Sequence, residues 1–342
     1  MIDRSKYLCP IPFRFSEITN DGQFLCCPGW LPIDVKKTDN YLTNFNSKLS
    51  QEIRESILDG SYKFCKEDLC PHLASYNNGN LPPLFVPSQA ELFKKPVLKG
   101  INFGFDISCN LGCPSCRSEF INFVGENRIK MDKILDNIIN QVGDTLERIV
   151  LCGGAEPFFS KTMLRFMREF DPTKFPNLKH IHLHTNATLW NKNSWNLIKP
   201  IHDYVHSCHI SMDAGSEEVY KVVRKGGNWK SLMKNIDFIL SLNQIKYMKF
   251  SFVTQQRNYK DMINFYNLIH EKMKNKNKNF KILFAAIVKW GEFMSQNTFE
   301  QHEIQNKNHK EHELFLNELK KVHRKPNVEH AFDNLLQTST LI

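Results

Sequence analysis

Cys109, Cys113 and Cys116 form a Cys-x-x-x-Cys-x-x-Cys triplet directly after an apolar run, Ile101 to Ile107, that reads as a strand. No other feature constrains the chain so tightly. Three thiolates from one short loop can hold three irons of a cubane 4Fe-4S cluster, and the missing fourth ligand leaves one iron open to a group that is not protein. Chemistry is expected at that open iron. The alternative is a zinc knuckle, since cysteine triplets also bind zinc, although zinc loops more often pair Cys-x-x-Cys with a distant second pair.

From Ile101 onward, apolar strand-like runs alternate with amphipathic helical segments, the pattern of parallel β/α units. The strand candidates are Ile101 to Ile107, Arg148 to Cys152, His180 to His184, Val205 to Met212, Lys249 to Thr254 and Lys281 to Val288. Helical periodicity lies between them, as in Met131 to Val142, Lys161 to Phe170, Trp229 to Leu242 and Tyr259 to His270. Six such units close most of a TIM-like barrel, a partial (β/α)6 α/β fold. Barrels of this kind carry their chemistry on loops at the C-terminal strand ends, and the triplet follows the first strand.

The chain has 342 residues, 41% of them hydrophobic, enough for one large domain and a smaller one. No apolar segment follows Met1, and the longest apolar run, Ile282 to Val288, is too short to cross a bilayer, so no membrane association and a cytoplasmic location are expected. Ten cysteines in a reducing compartment read as ligands rather than disulfides. The net charge of +9 sits in dispersed lysines and in the polar stretch Lys272 to Lys281, which reads as a solvated loop. Nucleic-acid binding is therefore not expected, whereas an anionic substrate or an acidic peptide is compatible.

Texture divides the chain into three segments. Residues 1–87 are rich in cysteine and proline, with an Asp21-Gly22 turn between apolar residues that suggests a small hairpin-based module. Pro82, Pro83 and Pro87 mark its linker to residues 88–291, the barrel. Residues 292–342 are polar and charged, and Thr298 to His323 reads as an exposed helix.

Polar residues recur at successive strand ends. Gly153-Gly154-Ala155-Glu156-Pro157 ends the second strand, where glycines admit a ligand to the backbone and a carboxylate accepts hydrogen bonds from an ammonium group. Thr185 and Asn186 end the third, and Ser211 and Asp213 end the fourth with shared parity, so that both face one side. Arg224 follows on the next helix. Taken singly, each reads as a cap, a turn or a solvated helix face. Their serial placement does not fit that reading.

The triplet together with these strand ends resembles the radical S-adenosylmethionine (radical SAM) family. The resemblance implies that AdoMet chelates the unique iron of the cluster on Cys109, Cys113 and Cys116, and that reduction cleaves it to a 5'-deoxyadenosyl radical. It assigns Gly153, Gly154 and Glu156 to the methionyl amino group, with Thr185 and Asn186 alongside, Ser211 and Asp213 to the ribose, and Arg224 to the AdoMet carboxylate. One departure is Ser115, where the family usually carries an aromatic residue that shelters the adenine; Phe120, Phe123, Ile287 and Val288 are the candidates to replace it.

Upstream, Cys9, Gly22, Cys27, Cys65 and Cys70 resemble a SPASM or twitch auxiliary module, which normally follows the barrel. The resemblance implies one auxiliary 4Fe-4S cluster on Cys9, Cys27, Cys65 and Cys70, with Cys26 as the alternative to its neighbour. Structural zinc on the same thiolates is the other reading. Cys152 and Cys208 remain over; Cys152 adjoins the Gly-Gly turn, where a thiol can donate a hydrogen atom to a substrate radical, and both also read as buried small hydrophobes. His180, His182 and His184 alternate on one strand, with at most one or two reaching the cavity.

The expected function is thus radical abstraction of hydrogen from a peptide, leading to oxidation, crosslinking or epimerisation, with a flavodoxin- or ferredoxin-type electron donor. A sugar, nucleotide or other small metabolite is the alternative substrate. A non-catalytic zinc or iron-sulfur protein is the alternative of another class.

Overall fold

The computed structural model describes residues 6–20, 22–32, 34–36, 40–67, 69–117, 119–151, 154–289 and 294–332. The chain divides into two compact units, Met1–Ile107 with Phe123–Ala155 and Lys161–Ile181, and Ser108–Asn122 with Glu156–Ser160 and His182–Ile342.

In the first unit, β1 (Phe15–Thr19) and β2 (Gln23–Phe24) form an antiparallel pair with Glu17 opposite Phe24, and β3 (Asp34–Lys36) extends it. This is the expected hairpin, although Asp21 of its turn lies outside the described residues. Helix α1 (Lys48–Leu58) starts where the Ser47 hydroxyl accepts from the Ser50 N–H. Strand β4 (Gly100–Gly104) then runs parallel to β1, with Ser16 opposite Ile101. The N-terminal segment therefore supplies a strand to the sheet that begins the expected barrel. Helix α2 (Gly125–Val142) precedes β5 (Arg148–Leu151), which is parallel to β4, and α3 (Lys161–Arg168) comes after it.

The α2 stripe Met131, Leu135, Ile138 and Val142 is buried to 1% exposure or less, the i, i+4, i+7 face that the periodicity dictates. Burying each such side chain contributes roughly 1.5–3 kcal/mol, so Ile138→Asp would break the helix from its support.

Strand β6 (His180–Thr185) leads into the second unit. There β7 (Val205–Ser211), β8 (Tyr247–Thr254) and β9 (Asn279–Ala286) pair in parallel, and β10 (Val328–His330) adds a further parallel strand to β9. Helices α4 (Glu217–Val223), α5 (Trp229–Ser241), α6 (Met262–Met273) and α7 (His312–Val322) lie between or after these strands. One strand face is apolar: Ile210, Phe250, Phe252, Ile282 and Phe284 are fully buried. The other carries His182, His184, Ser207, His209, Ser211, Lys249 and Ser251, the alternation of a two-sided strand.

The named strand pairs of the second unit are all parallel and those of the first are mixed, an α/β fold, and all six expected strands are present. The C-terminal expectation needs correction. Thr298 to His323 is not one exposed helix: a short helix Gln296–His302 is separated from α7, and α7 buries Phe315, Leu319 and Val322. Asn306 intervenes, accepting the Asn308 N–H on its side chain and so favouring a turn over a continuing helix.

Candidate functional site

The site residues of the second unit come from four strand ends. Cys109 closes its loop by a bridge to Ile121, donating its N–H to the Ile121 carbonyl at 2.8 Å. Cys116 and Arg117 both donate their N–H groups to the Cys113 carbonyl at 2.9 Å, a turn that gathers the last two cysteines. Cys113 is buried, and Cys109 and Cys116 are half-buried.

Each of the three sulfurs faces a side-chain N–H donor. Asn186 Nδ2 donates to Cys109 at 3.7 Å, Arg224 Nη1 to Cys113 at 3.7 Å and Arg117 Nη2 to Cys116 at 3.4 Å. Burial pushes the Cys109 thiol up to about 11, with Glu156 adding to it, and burial also raises Cys113. Loading with metal must then release protons, and N–H donors are what a set of thiolates needs once formed. Arg117 escaped the sequence reading; its position directly after Cys116 was the available signal.

Glu156 is fully enclosed, at 1% exposure. Its N–H donates to the Ser108 carbonyl at 2.8 Å, and its carboxylate accepts from the Thr185 hydroxyl at 2.6 Å, the Asn186 N–H at 2.6 Å and the Phe158 N–H at 3.2 Å. Burial lifts its pKa to about 7 against these donors. The fold thus brings Cys109, Glu156, Thr185 and Asn186 together. Gly154, in the first unit, has no room for a side chain: a Cβ there would stand 2.8 Å from Ile107 Cγ2. Gly153 and Cys152 lie outside the described residues.

At the end of β7 the expected alternation breaks. The strand ends at Ser211, and Asp213 takes a left-handed φ of 59°, a conformation that costs an Asp of order 1 kcal/mol. Its carboxylate turns to Arg224 Nη2 at 2.9 Å and to the Val253 N–H at 2.8 Å. Burial raises the Asp213 pKa against the pull of Arg224, while Asp213, Cys113 and Tyr220 raise Arg224 against its own burial, so each partner favours the charged form of the other. Among the described residues, Arg224 Nε and the Tyr220 hydroxyl are buried with no hydrogen-bond partner, although the charges of Arg224 and Cys113 act on Tyr220. Orphaned polar atoms beside a cysteine set are what a site built for a further ligand would leave.

Ser211 instead joins the polar strand face. Its hydroxyl meets His184 Nε2 at 2.9 Å and Ser251 Oγ at 3.3 Å, while His182 Nδ1 meets Ser207 Oγ at 2.6 Å. The His184 ring stacks on His209, centroids 3.9 Å apart. Cys208, on the opposite face, is fully buried.

In the first unit Cys9, Cys26, Cys65 and Cys70 line one cavity with Trp30, Tyr62 and His72. Burial raises Cys9 to about 12, with Cys70 and Cys65 adding to it, and Cys65 to about 11, with Cys70 adding. Of the two alternatives, Cys26 lines this cavity; Cys27, beside Glu17 and the Gly29 and Trp30 N–H groups and within the field of Cys70, is not among its lining residues. Among the described residues no three His, Cys, Asp or Glu side chains converge on a point as one metal ion requires. A cubane asks for less convergence, because each sulfur binds a different iron.

Residues 107–269, the segment carrying the cysteine triplet, match the family model described as the Radical SAM superfamily. No curated protein matches the sequence significantly. Among solved structures, one described as native anSMEcpe with bound AdoMet is 16% identical, with a TM-score of 0.41 over 71% of this chain and 66% of that one, just under two thirds. A second, of the same protein with AdoMet and a Cp18Cys peptide, is 18% identical with a TM-score of 0.40 over the same shares. A structure of TYW1 with a lysine-pyruvate adduct is 15% identical, with a TM-score of 0.35 over 59% of this chain and 70% of that one. No helix among the described residues is long and apolar enough to cross a membrane.

Proposed function

We propose that this chain is a radical SAM enzyme that reductively cleaves AdoMet and abstracts hydrogen from a peptide. The observation that carries this reading is the triplet itself: three cysteines of one loop, each sulfur met by one N–H donor from Asn186, Arg224 or Arg117. When bound and reduced, a 4Fe-4S cluster supplies AdoMet with the electron that breaks its sulfonium bond and frees a 5'-deoxyadenosyl radical.

The chain's own residues bind and orient. Cys109, Cys113 and Cys116 hold three irons, and Glu156, braced by Thr185 and Asn186, accepts from the methionyl ammonium group. Gly153 and Gly154 are assigned to the same amino group, Asp213 to the ribose, and Arg224 to the AdoMet carboxylate. Burial of Glu156, Asp213 and Tyr220 keeps water from the reacting atoms.

Cys9, Cys65 and Cys70, with Cys26 in preference to Cys27, hold an auxiliary 4Fe-4S cluster. Four protein ligands would leave it no open iron, so it would serve as an electron relay or acceptor, or as scaffold. The four-thiol cavity supports the peptide reading, because enzymes with SPASM-like modules commonly modify ribosomally made peptides. A flavodoxin- or ferredoxin-type donor in the cytoplasm completes the scheme. A second reading, a sugar, nucleotide or other small metabolite, is favoured by the polar strand face of His184, Ser211 and Ser251, which suits hydroxyl-rich ligands.

The test is deuterium transfer. Reconstituted, dithionite-reduced protein is given AdoMet and either a deuterated peptide encoded by a neighbouring gene or deuterated metabolites, and 5'-deoxyadenosine is analysed by mass spectrometry. Label arriving only from the peptide supports the first reading, label arriving only from a metabolite supports the second, and no deoxyadenosine from any mixture refutes both.

A further inference from the structure

The four thiols of the N-terminal cavity are not equally supplied with hydrogen-bond donors. The Cys9 sulfur accepts from the Ile11 N–H, Cys26 from the Cys27 N–H, and Cys70 from the His72 and Leu73 N–H groups, the last at 3.4 Å. Among the described residues no N–H group donates to Cys65, which is acted on by burial and by the Cys70 thiol. A thiolate set gains from a donor at each sulfur, because hydrogen bonds there offset the negative charge.

Tyr62 is the side chain placed to supply the missing donor. It follows α1, lines the same cavity and is 8% exposed. Its backbone takes a left-handed φ of 47°, an outlier for an aromatic residue that persists only where the surroundings enforce it. Three contacts enforce it: the Tyr62 N–H donates to the Ser56 carbonyl at 2.8 Å, its carbonyl accepts the Cys65 N–H at 2.8 Å, and its ring stacks on Phe85 with centroids 6.4 Å apart. The hydroxyl oxygen accepts the Cys9 N–H at 3.4 Å. One residue thus grips two cysteines from distant segments.

A phenol also carries a hydrogen to donate. Among the described residues the Tyr62 O–H has no acceptor, and the groups whose charges act on it are Cys9, Tyr76 and Cys65. Tyr76 donates its own hydroxyl to the Tyr7 carbonyl at 2.7 Å. The other polar side chains of the cavity besides the cysteines, Trp30 and His72, meet each other edge-on with rings 5.6 Å apart.

We infer that the Tyr62 hydroxyl, while accepting the Cys9 N–H, donates to the Cys65 sulfur once that thiol is a cluster ligand, and so sets the potential at which the N-terminal cluster takes up one electron. The inference rests on the auxiliary-cluster part of the proposed function. A donor stabilises the reduced, more negative cluster more than the oxidised one and therefore raises the potential.

The experiment uses the reconstituted full chain with Cys109, Cys113 and Cys116 replaced by Ala, so that the N-terminal cluster alone is read. Tyr62 is kept, changed to Phe, or replaced by 3-fluorotyrosine, a stronger donor of nearly the same shape, and each protein is titrated potentiometrically with electron paramagnetic resonance as the readout. Tyr62→Phe should keep about four irons per chain. It should be about tenfold harder to reduce, a one-electron potential ~59 mV lower. Fluorotyrosine should shift the potential upward, and a packing role alone would not produce shifts of opposite sign. A Phe variant that holds its iron at an unchanged potential overturns the inference. If the Phe variant loses iron, a fluorotyrosine protein at the wild-type potential overturns it. Zinc in place of iron on the four thiols overturns the auxiliary-cluster reading instead.

Discussion

Arg224 joins the cysteine loop to the end of β7: its Nη1 donates to the Cys113 sulfur at 3.7 Å and its Nη2 pairs with Asp213 Oδ2 at 2.9 Å. The pair is almost wholly buried, with 10% of the Arg224 and 1% of the Asp213 side chain exposed. An ion pair placed there costs desolvation of both charges, which the loop sulfur and the Val253 N–H help to offset.

Removing one partner should therefore be far worse than removing both. Arg224→Ala leaves a buried, uncompensated carboxylate and is expected to cost about 3–5 kcal/mol in chemical denaturation. Asp213→Asn combined with Arg224→Met should recover most of that loss. A double variant as unstable as the single one would show that the ion pair is not what the arginine supplies.

Glu156 and Asp213 are assigned to AdoMet and not to iron. Glu156→Gln and Asp213→Ala should each weaken AdoMet binding tenfold or more, roughly the worth of one charge-assisted hydrogen bond. Iron content after reconstitution should stay at the wild-type value. Equal AdoMet affinity across the three proteins, read by equilibrium dialysis, would remove both residues from the site.

In the N-terminal set, Cys26→Ser should lower iron content by about four per chain, one cubane. Cys27→Ser should leave it unchanged, because Cys27 is absent from the cavity lined by Cys9, Cys26, Cys65 and Cys70. The reverse pattern would reinstate Cys27. Zinc at full occupancy with no iron lost on either change would instead favour a zinc site there.

How much of the fold and the site was readable in the sequence depends on how each feature is encoded. The strands from Ile101 onward were legible because alternation with helical periodicity is a local property. The pairing of β1 with β4 was not, since Phe15 and Gly100 are joined only in space, and Val328–His330 is too short a strand to show a period. The cysteine triplet and Glu156 were marked by spacing. Asp213 was misjudged by parity because a left-handed φ breaks the alternation just past the strand end. The choice between Cys26 and Cys27 depends on which neighbour points into a cavity built from three distant segments, and no local pattern carries that.

The stacked pair His184 and His209 sets an acid limit on stability. Burial, with Arg224 and Lys249 adding, pushes His184 down from 6.5 to about 4, and burial, with His184 and His182 adding, lowers His209 as well. Unfolded imidazoles take protons below about 6.5 that the folded pair refuses, so the stability is present above that pH and lost as pH falls toward about 4. His184→Gln should flatten this part of the curve in urea denaturation across pH. A wild-type stability that is constant over that window would contradict the assignment.

The central claim is tested most directly by one assay: 5'-deoxyadenosine released from AdoMet by anaerobically reconstituted, dithionite-reduced protein, compared with the variant in which Cys109, Cys113 and Cys116 are all Ala. Wild type should release deoxyadenosine together with methionine and hold about eight irons, two cubanes' worth. The triple variant should release none while keeping about four irons on the N-terminal set. Deoxyadenosine at equal rates from both proteins, or from neither while wild type holds its full iron, would contradict the account.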